Sequence, residues 1–220
     1  MKALIIGHSG GLGQALGAHY RHMGYQVTGL SRSADGFEIG DEASIAAHIR
    51  RVGWDFDRVM LATGVLNGAG RPPEKSLSAL SVAAMADQFA INAMGPALVL
   101  KYLIEQIPRD RAVKIGVLSA RVGSIGDNAL GGWYAYRAAK AALNQLVHTT
   151  AIEWVRRCPQ SVLALLHPGT VQTEFSAAYH ANHPTISPAE SASQLIATLE
   201  VLSPLQTGQF YDFNGVCVPW

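Results

Sequence analysis

The chain has 220 residues, of which 49% are hydrophobic and 15% are charged, and its formal net charge is +1. That length suffices for one well-packed domain but is short for two, so we expect a single domain over residues 1–220. The sequence has neither a basic stripe nor a long run of like charges, which argues against nucleic acid and against an anionic membrane surface as partners. The expected partner is a small molecule.

The cysteines and the apolar runs of the sequence bear on its compartment. Cys158 and Cys217 are the only cysteines, and they form neither a C-x-x-C motif nor a zinc-ligand spacing, which fits a reducing compartment. The apolar start of the chain breaks at Gly7, too early for a signal peptide, and no apolar run approaches a membrane-spanning length. We therefore expect a soluble, cytoplasmic protein that binds no membrane.

The beginning of the chain predicts a strand, a glycine turn and a helix. Residues 3–6 are apolar like a buried parallel strand, and residues 14–20 have helical composition. Glycines at such a junction let the backbone approach a pyrophosphate, while the helix N-terminus offers unpaired N–H groups and partial positive charge. The same glycines are also compatible with a tight turn that binds nothing. We favour a cofactor-binding turn made of Gly7, Ser9, Gly10, Gly11, Leu12 and Gly13.

Residues 25–30 predict a second strand, and the residues after it bear on the choice of cofactor. In dinucleotide-binding folds an acidic residue at this point binds the adenosine ribose, whereas an arginine suits a 2′-phosphate. The sequence has Arg32 between two serines here and no acid. We therefore predict NADP(H) as the preferred cofactor, with NAD(H) possible. The alternative is that Arg32 is a solvated loop residue; Asp35, further out, is interpreted as a turn residue.

Strands and helices alternate along the rest of the chain. Residues 36–40 are compatible with a short strand, ahead of a helix that begins near Asp41 or Ser44. Buried strands are predicted over residues 58–62, 112–118 and 161–166, and a last helix is predicted to begin near Ser187. This alternation predicts an α/β fold with a doubly wound parallel sheet and helices on both faces. Such sheets bind ligands at the carboxyl ends of their strands, where residues 119–126 lie.

Residues 82–107 predict a long, bent helix. Pro96 lies within it and predicts a kink near Asn92, which frees backbone groups for water or a ligand. We interpret Asn92 as functional. The alternative is a residue that only caps or bends the helix.

A helix is also predicted from Ala135 onward, and it contains Tyr136 and Lys140 four residues apart. Their side chains stand on one helix face, about 5–6 Å apart at Cβ, and can act on one molecule. A tyrosine with a pKa of about 10 is a poor proton donor at neutral pH, and a neighbouring ammonium favours its phenolate form. The pair is a plausible general acid/base unit, although the spacing alone equally suits an ordinary exposed helix.

Four motifs that occur in the same order make the whole sequence resemble a short-chain dehydrogenase/reductase. They are the glycine turn over residues 7–13, the helix with Asn92, the Tyr136-x-x-x-Lys140 pair and the run Pro168-Gly169-Thr170-Val171-Gln172-Thr173. Residues 123–137 and 210–220 are similar to the branch of the family that contains C-factor-like proteins and sniffer-type carbonyl reductases.

The resemblance implies a Rossmann-type fold and hydride transfer between nicotinamide and a carbonyl or alcohol carbon. Tyr136 would donate the proton to the carbonyl oxygen, and Lys140 would hold the nicotinamide ribose and lower the tyrosine pKa. Asn92 would position a water that links Lys140 to solvent. Further implied cofactor contacts are Ala62, Thr63, Gly64, Pro168, Gly169, Val171 and Thr173. Such families commonly form homo-oligomers, and we expect one here.

Two places depart from the family pattern. Residues 62–64 read Ala-Thr-Gly where relatives have Asn-Ala-Gly, so an asparagine side chain is missing beside the cofactor. Ala120 stands three residues before Gly123, where relatives have the serine that hydrogen-bonds the carbonyl. We predict that Ser119 takes this role, with Ser124 as a near-equal alternative, and a third possibility is that neither does.

The residues after the predicted strand over 161–166 include a candidate substrate lid. It covers residues 174–186, with Phe175, Tyr179 and His183, and the alternative is an ordinary connection. His167, before it, is interpreted as a structural residue at the strand end and not as a base.

Two histidine pairs have spacings that suit a metal ion, His19-x-x-His22 and His180-x-x-His183. No third ligand is evident beside either pair. We therefore expect no metal site.

Two functional hypotheses follow. The first is an NADP(H)-dependent carbonyl reductase or alcohol dehydrogenase. The second is a dinucleotide-binding signalling or regulatory protein of the same fold with little catalysis, which Ala62 and Ala120 motivate. Turnover that depends on Tyr136 distinguishes the two.

Overall fold

The chain folds around a six-stranded parallel sheet with the strand order β2-β1-β3-β4-β5-β6. A computed structural model describes residues 1–182 and 184–220, without the side chains of residues 180–182. The strands are β1 Lys2–Ile6, β2 Gln26–Leu30, β3 Arg58–Leu61, β4 Lys114–Leu118, β5 Val162–His167 and β6 Phe210–Asp212. The predicted doubly wound α/β fold is confirmed.

Helices cover both faces of the sheet. They are α1 Gly11–His22, the single turn α2 Arg32–Asp35, α3 Glu42–Val52, α4 Val82–Phe89, α5 Gly95–Gln106, α6 Tyr134–Val155 and α7 Pro188–Val201. Leu4 and Ile6 of β1 belong to the core cluster that contains residues of α3, α5 and α6. Ile5, between them, belongs to the cluster with α1 and α7. Successive strand residues point to opposite faces, so a strand covered on both sides is apolar throughout.

The short strand predicted over residues 36–40 is absent, and this expectation was wrong. Gly36 ends α2 with a left-handed φ of 70° and turns the chain away from β2. The Phe37 N–H donates to the Ser31 carbonyl oxygen at 3.3 Å and the Glu38 N–H donates to Ser44 Oγ at 3.0 Å, so neither pairs with a strand. Asp41 then caps α3, because its Oδ1 accepts a hydrogen bond from the Ala43 N–H at 3.0 Å.

The bend predicted in the long helix takes the form of a π turn over Ala90–Met94, between α4 and α5. Pro96 has no N–H to donate to the carbonyl of Asn92 four residues earlier, and a wider turn accommodates this loss. The whole stretch Val82–Gln106 has 25 residues and a mean hydropathy of 1.2. By length and composition alone it is long and apolar enough to cross a membrane, which is weak evidence for a span because core helices share these properties. In the fold 39% of its apolar window is buried, and α4 and α5 both pack against α6.

The parallel arrangement places the functional loops together. The carboxyl ends of all six strands lie at one edge of the sheet, and β1, β3, β4 and β5 are adjacent there. The segments that follow these four strands are residues 7–10, 62–81, 119–133 and 168–187. The motifs that the sequence singled out belong to these segments or to the helices that follow them, apart from Arg32 after β2 and residues 210–220 at the end of the chain.

Candidate functional site

A cleft of about 850 Å³ opens along the carboxyl edge of the sheet. Of the predicted site residues, it is lined by Ser9, Gly10, Gly11, Leu12, Gly13, Ala62, Thr63, Gly64, Ser119, Tyr136, Lys140, Pro168, Gly169, Val171 and Thr173. Gly7, Arg32, Asn92 and Ser124 do not line it. The strand ends therefore bring most of the predicted residues together, whereas four of them lie outside the lining.

The glycine turn is built by close backbone contacts. Gly7 has a φ of 90°, and a Cβ on it would lie 2.6 Å from the Ala62 carbonyl oxygen. A Cβ on Gly13 would lie 2.1 Å from the Gly7 carbonyl oxygen. Gly10 is different, since a Cβ there meets nothing closer than 3.5 Å. Gly7 and Gly13 are thus required to form the turn, whereas Gly10 keeps the space in front of it open.

The residues present fit a dinucleotide in the cleft. The first turn of α1 contains no acidic residue and no side chain caps it, so its unpaired N–H groups and the positive end of its dipole face the glycine turn. Thr63 lines the cleft, and its buried Oγ1 has no hydrogen-bond partner among the described residues. Buried hydroxyls are normally paired, so this one is available to a ligand.

Arg32 follows the carboxyl end of β2 and begins α2, outside the lining of the cleft. Its side chain is 80% exposed, and its contact with the exposed Glu38 is a long one of 4.0 Å. Asp35 accepts a hydrogen bond from the Ser31 N–H at 2.8 Å, as a turn residue does. Arg32 is therefore free to bind an external phosphate, which the sequence predicts and the geometry permits.

Tyr136 and Lys140 are buried side by side at the base of the cleft. Tyr136 is 5% exposed and Lys140 is 3% exposed, and the Lys140 Nζ lies 5.9 Å from the centre of the tyrosine ring. Lys140 Nζ also donates to the Leu118 carbonyl oxygen at 3.1 Å. Burial raises the pKa of Tyr136 above its ordinary value and lowers the pKa of Lys140 to about 8. Both groups are thereby displaced towards their neutral forms.

Asn92 supports the cleft from behind. Its Nδ2 donates to the Val65 carbonyl oxygen at 2.8 Å and to Gln88, and its Oδ1 accepts from the Val65 N–H at 3.1 Å. A Cβ on Gly64 would lie 2.9 Å from Asn92 Oδ1 and 3.8 Å from Lys140 Nζ. Asn92 and Lys140 therefore flank Gly64, and the asparagine side chain fixes the loop that follows β3.

The two candidate serines are engaged in the fold. Ser119 is buried, and its hydroxyl donates to Asn144 Oδ1 at 2.6 Å. Ser124 is also buried, and its Oγ accepts from the Asp127 N–H at 3.1 Å. Ala120 lines the cleft without a polar group. The role of either serine towards a substrate stays a prediction.

Aromatic rings form a cover over Tyr136 that the sequence indicated only in part. Phe175 and Tyr179 come from the 3₁₀ helix Glu174–Asn182, within the segment predicted as a lid. The ring centre of Phe175 lies 6.4 Å from that of Tyr136, and the ring centre of Tyr179 lies 4.8 Å from that of Trp133. Trp133 was not foreseen; it has a φ of 54°, and the glycines at positions 131 and 132, also with positive φ, were the available signal.

His167, interpreted as structural from the sequence, also lines the cleft as the last residue of β5. Its Nδ1 accepts a hydrogen bond from the Arg121 N–H at 3.3 Å. Burial, together with the charge of Arg121, lowers the pKa of His167 to about 4, although Asp212 and Asp127 act in the opposite direction. The imidazole is therefore neutral at physiological pH.

The histidine pairs can be compared with the structure only in part. His19 and His22 lie on α1. His183 is outside the described residues, as is the side chain of His180. Across residues 1–179 and 184–220, whose side chains the structure describes, no group of three or more His, Cys, Asp or Glu side chains is arranged to hold a metal ion.

Comparison with known proteins gives a consistent set of similarities. The family model described as short chain dehydrogenase matches residues 1–184. The C-signal protein of Myxococcus xanthus is 33% identical over 145 residues, which cover 66% of this chain and 84% of that protein. A Burkholderia multivorans protein, assigned to the short-chain dehydrogenases/reductases and solved with bound NADP, has a TM-score of 0.83 at 26% identity, covering 100% of this chain and 99% of its own. The carbonyl reductase Sniffer of D. melanogaster shares the fold, with a TM-score of 0.78 at 19% identity and coverage of 100% and 99%.

Proposed function

Because the chain belongs to the short-chain dehydrogenase/reductase family, as its motifs predict, we propose that it is an NADP(H)-dependent carbonyl reductase or alcohol dehydrogenase. The observation that supports this most directly is the buried pair of Tyr136 and Lys140 at the base of a cleft bordered by a glycine turn. A buried phenol beside an ammonium suits proton transfer to a carbonyl oxygen.

The cleft residues have separate roles in the proposed reaction. NADP(H), when bound, supplies or accepts the hydride. The glycine turn and the N-terminus of α1 hold the pyrophosphate, and Thr63 Oγ1 offers a further hydrogen bond. Tyr136 gives its hydroxyl proton to the substrate oxygen in reduction and takes it back in oxidation. Lys140 stabilises the phenolate that this step leaves behind.

The surroundings of Tyr136 support the same assignment. Phe175, Tyr179 and Trp133 cover the tyrosine and reduce its contact with water. Exclusion of water strengthens electrostatic interactions inside a site. The attraction between the Lys140 ammonium and the Tyr136 phenolate would be strengthened in this way. Asn92 keeps the loop with Thr63 and Gly64 in position behind the lysine.

Two observations support NADP(H) over NAD(H). Arg32 is 80% exposed after β2, its contact with Glu38 is a long one of 4.0 Å, and no acid is directly beside it in the sequence. The Burkholderia multivorans protein, which is similar over the whole chain, has NADP bound. A guanidinium can bind a 2′-phosphate through two hydrogen bonds, and a ribose hydroxyl offers no such partner.

The decisive experiment is consumption of NADPH by the purified protein with a panel of aldehydes, ketones and quinones. We expect Tyr136→Phe to lower turnover by about 10²–10⁴-fold and to leave NADPH affinity unchanged. Tyr134→Phe is the matched control, since Tyr134 is 39% exposed on the same helix and does not line the cleft. Equal activity in Tyr136→Phe and the wild type would refute the proposal.

A second candidate function is a dinucleotide-binding regulatory protein with little catalysis. The named relative C-signal and the absence of a hydroxyl at Ala120 favour it. It predicts tight NADPH binding without measurable turnover of any carbonyl in the panel. Tyr136-dependent turnover would remove its basis.

We also propose that the protein forms a homo-oligomer through its long helices. Leu146, Ile152 and Val155 are apolar and exposed on α6. Burying such side chains against a second copy would remove apolar surface from water. Light scattering of the wild type and of Ile152→Glu tests this: we expect the substitution to lower the molecular mass of the assembly, and a monomeric wild type would refute the proposal.

A further inference from the structure

None of the three side chains at positions 119, 120 and 124 places a free hydrogen in the cleft for a carbonyl oxygen. The hydroxyl hydrogen of Ser119 is directed to Asn144, and Ala120 has none to offer. Ser124 does not line the cleft. A carbonyl that receives hydride develops negative charge on its oxygen, and one donor aimed at that oxygen contributes about 10²–10³-fold in rate. The reaction therefore calls for a donor from another part of the cleft.

His167 brings such a donor to the place beside Ala120. The Ser119 N–H donates to the Leu166 carbonyl oxygen at 2.8 Å, so the end of β4 runs next to the end of β5. The Arg121 N–H then donates to His167 Nδ1 at 3.3 Å. The imidazole ring is thus fastened to the backbone on the C-terminal side of Ala120, in the lining of the same cleft.

The same hydrogen bond fixes which ring nitrogen carries the proton. An imidazole that accepts at Nδ1 has its hydrogen on Nε2 when it is neutral. Burial and the positive charge of Arg121 hold the pKa of His167 at about 4, so the ring stays neutral at pH 7. Among the residues that the structure describes, none accepts a hydrogen bond from Nε2.

Packing holds the ring in this orientation. Phe213 contacts His167 edge to face, with 6.5 Å between the ring centres. A Cβ on Gly169 would lie 2.9 Å from the Phe213 ring, so the glycine is what lets the phenylalanine approach. The donor is therefore supported from one side by the backbone of Arg121 and from the other by an aromatic ring.

We propose that the Nε2–H of His167 donates a hydrogen bond to the carbonyl oxygen of the substrate and so supplies the donor that Ala120 lacks. This inference rests on the proposed function. In reduction the hydride bonds to the carbonyl carbon, the π electrons of the C=O bond move to oxygen, and that oxygen takes the proton of Tyr136. His167 keeps its own proton throughout and acts only as a hydrogen-bond donor.

Side-chain replacement with and without a donor tests the role. His167→Met removes the donor at similar length, and His167→Gln keeps an N–H near the position of Nε2. We expect His167→Met to lower kcat/KM for the carbonyl about 10²–10³-fold, with NADPH affinity within about threefold of wild type, and His167→Gln to lose less than about tenfold. A kcat/KM within about threefold of wild type for His167→Met, or equal losses in both variants, overturns the inference.

A hydroxyl restored at position 120 gives a second test. Ala120→Ser in the His167→Met background should recover at least about tenfold in kcat/KM, because the serine would supply the missing donor. No recovery would mean that His167 acts through something other than this hydrogen bond. Thermal unfolding of each variant identifies changes that come from folding alone.

A measurement without turnover separates failure of this inference from failure of the proposed function. In ¹⁵N-labelled wild-type protein, the imidazole resonances of His167 should show the Nε2–H form, and the Nε2 signal should move when acetophenone is added with NADP⁺. The Nδ1–H form, or an Nε2 signal that does not respond, refutes the role of His167 even if the enzyme is active. An inactive wild type instead refutes the proposed function. The NMR result then still shows whether the Nε2–H of His167 donates a hydrogen bond to the carbonyl oxygen.

Discussion

Glu74 caps the helix that contains Tyr136 although 61 positions separate it from Ala135, whose N–H donates to its carboxylate at 3.2 Å. The carboxylate is buried, and the carbonyl oxygen of Glu74 also accepts from the Trp133 N–H. Trp133 occupies the N-cap position of α6 in a left-handed conformation and has no side chain that can accept a hydrogen bond. A remote carboxylate therefore stabilises the positive end of α6, one residue before Tyr136.

Removal of this cap should weaken both the fold and the reaction. We expect Glu74→Ala to lower the free energy of unfolding by about 1–2 kcal/mol, because it leaves the Ala135 N–H unpaired. Since Tyr136 follows directly, kcat should fall with it. Glu74→Gln keeps an acceptor oxygen and is the matched control. Urea unfolding and steady-state kinetics measure the two effects, and an unchanged Glu74→Ala variant would contradict the prediction.

Two glycines of the N-terminal turn should respond differently to alanine. In Gly13→Ala the new methyl would lie 2.1 Å from the Gly7 carbonyl oxygen, so the turn must deform and the protein should lose several kcal/mol or fail to fold. In Gly10→Ala the nearest atom is 3.5 Å away, so folding should be preserved. The methyl would instead obstruct the approach of the pyrophosphate. Thermal unfolding should therefore show a loss of stability only in Gly13→Ala, and NADPH titration should show a loss of affinity in a folded Gly10→Ala. Equal losses of stability in the two variants would contradict this prediction.

Arg32 should decide between the two nicotinamide cofactors. A charged hydrogen bond to phosphate contributes about 1.5–3 kcal/mol, so Arg32→Ala should weaken NADPH binding by about 10–100-fold. NADH binding should stay within about twofold. Arg21→Ala removes the same charge from α1, where Arg21 contacts His8 at 3.3 Å, and should affect neither cofactor. Equal weakening of both cofactors in Arg32→Ala would exclude a 2′-phosphate role.

Lys140 should make stability depend on pH in alkaline solution. Its pKa is about 8 in the folded chain and about 10.5 when unfolded, so between these values the unfolded state binds more protons. The contribution of Lys140 to the free energy of unfolding therefore rises with pH between these two pKa values, with a slope of at most about 1.4 kcal/mol per pH unit. Above about pH 10 a tyrosine in the unfolded chain loses its proton, whereas the buried Tyr136 keeps it because its pKa is raised. The contribution of Tyr136 to the free energy of unfolding therefore falls with pH in that range.

Comparison with Lys140→Met isolates this effect. From pH 8 to pH 10 the free energy of unfolding of the wild type should rise relative to that of Lys140→Met, which lacks the titrating group. Urea unfolding at several pH values measures it. A constant difference over this range would show that the buried lysine is not held towards its neutral form.

Local patterns in the sequence were sufficient for the features that depend on neighbouring residues. An apolar run followed by closely spaced glycines predicted β1, the turn and α1 because that signal lies within about two dozen positions. The four-residue spacing placed Tyr136 and Lys140 on one face, and the missing N–H of Pro96 predicted a bend beside Asn92. In each case the deciding geometry is that of a single helix or turn.

Features made by distant contacts were not predicted. β6 has only three residues, and it becomes a strand because it pairs with β5. The cap by Glu74 and the hydrogen bond from Ser119 to Asn144 join segments that are far apart in sequence. The sequence correctly placed His167 at the end of a strand. Its orientation in the cleft depends on a hydrogen bond from Arg121, in the loop after β4, which the sequence did not reveal.

The strand order has a consequence for the kinetics of folding. Every strand pairs in parallel with a partner reached through a crossover, and even the N-terminal pairing joins Lys2 to Gln26 across the whole of α1. Helices form in about a microsecond, whereas such distant pairings must wait for the loops between them to close. On dilution from denaturant, helical signal should therefore return before the sheet is complete. During that interval unpaired strand edges are exposed, and the protein concentration will decide how much of the chain refolds and how much aggregates.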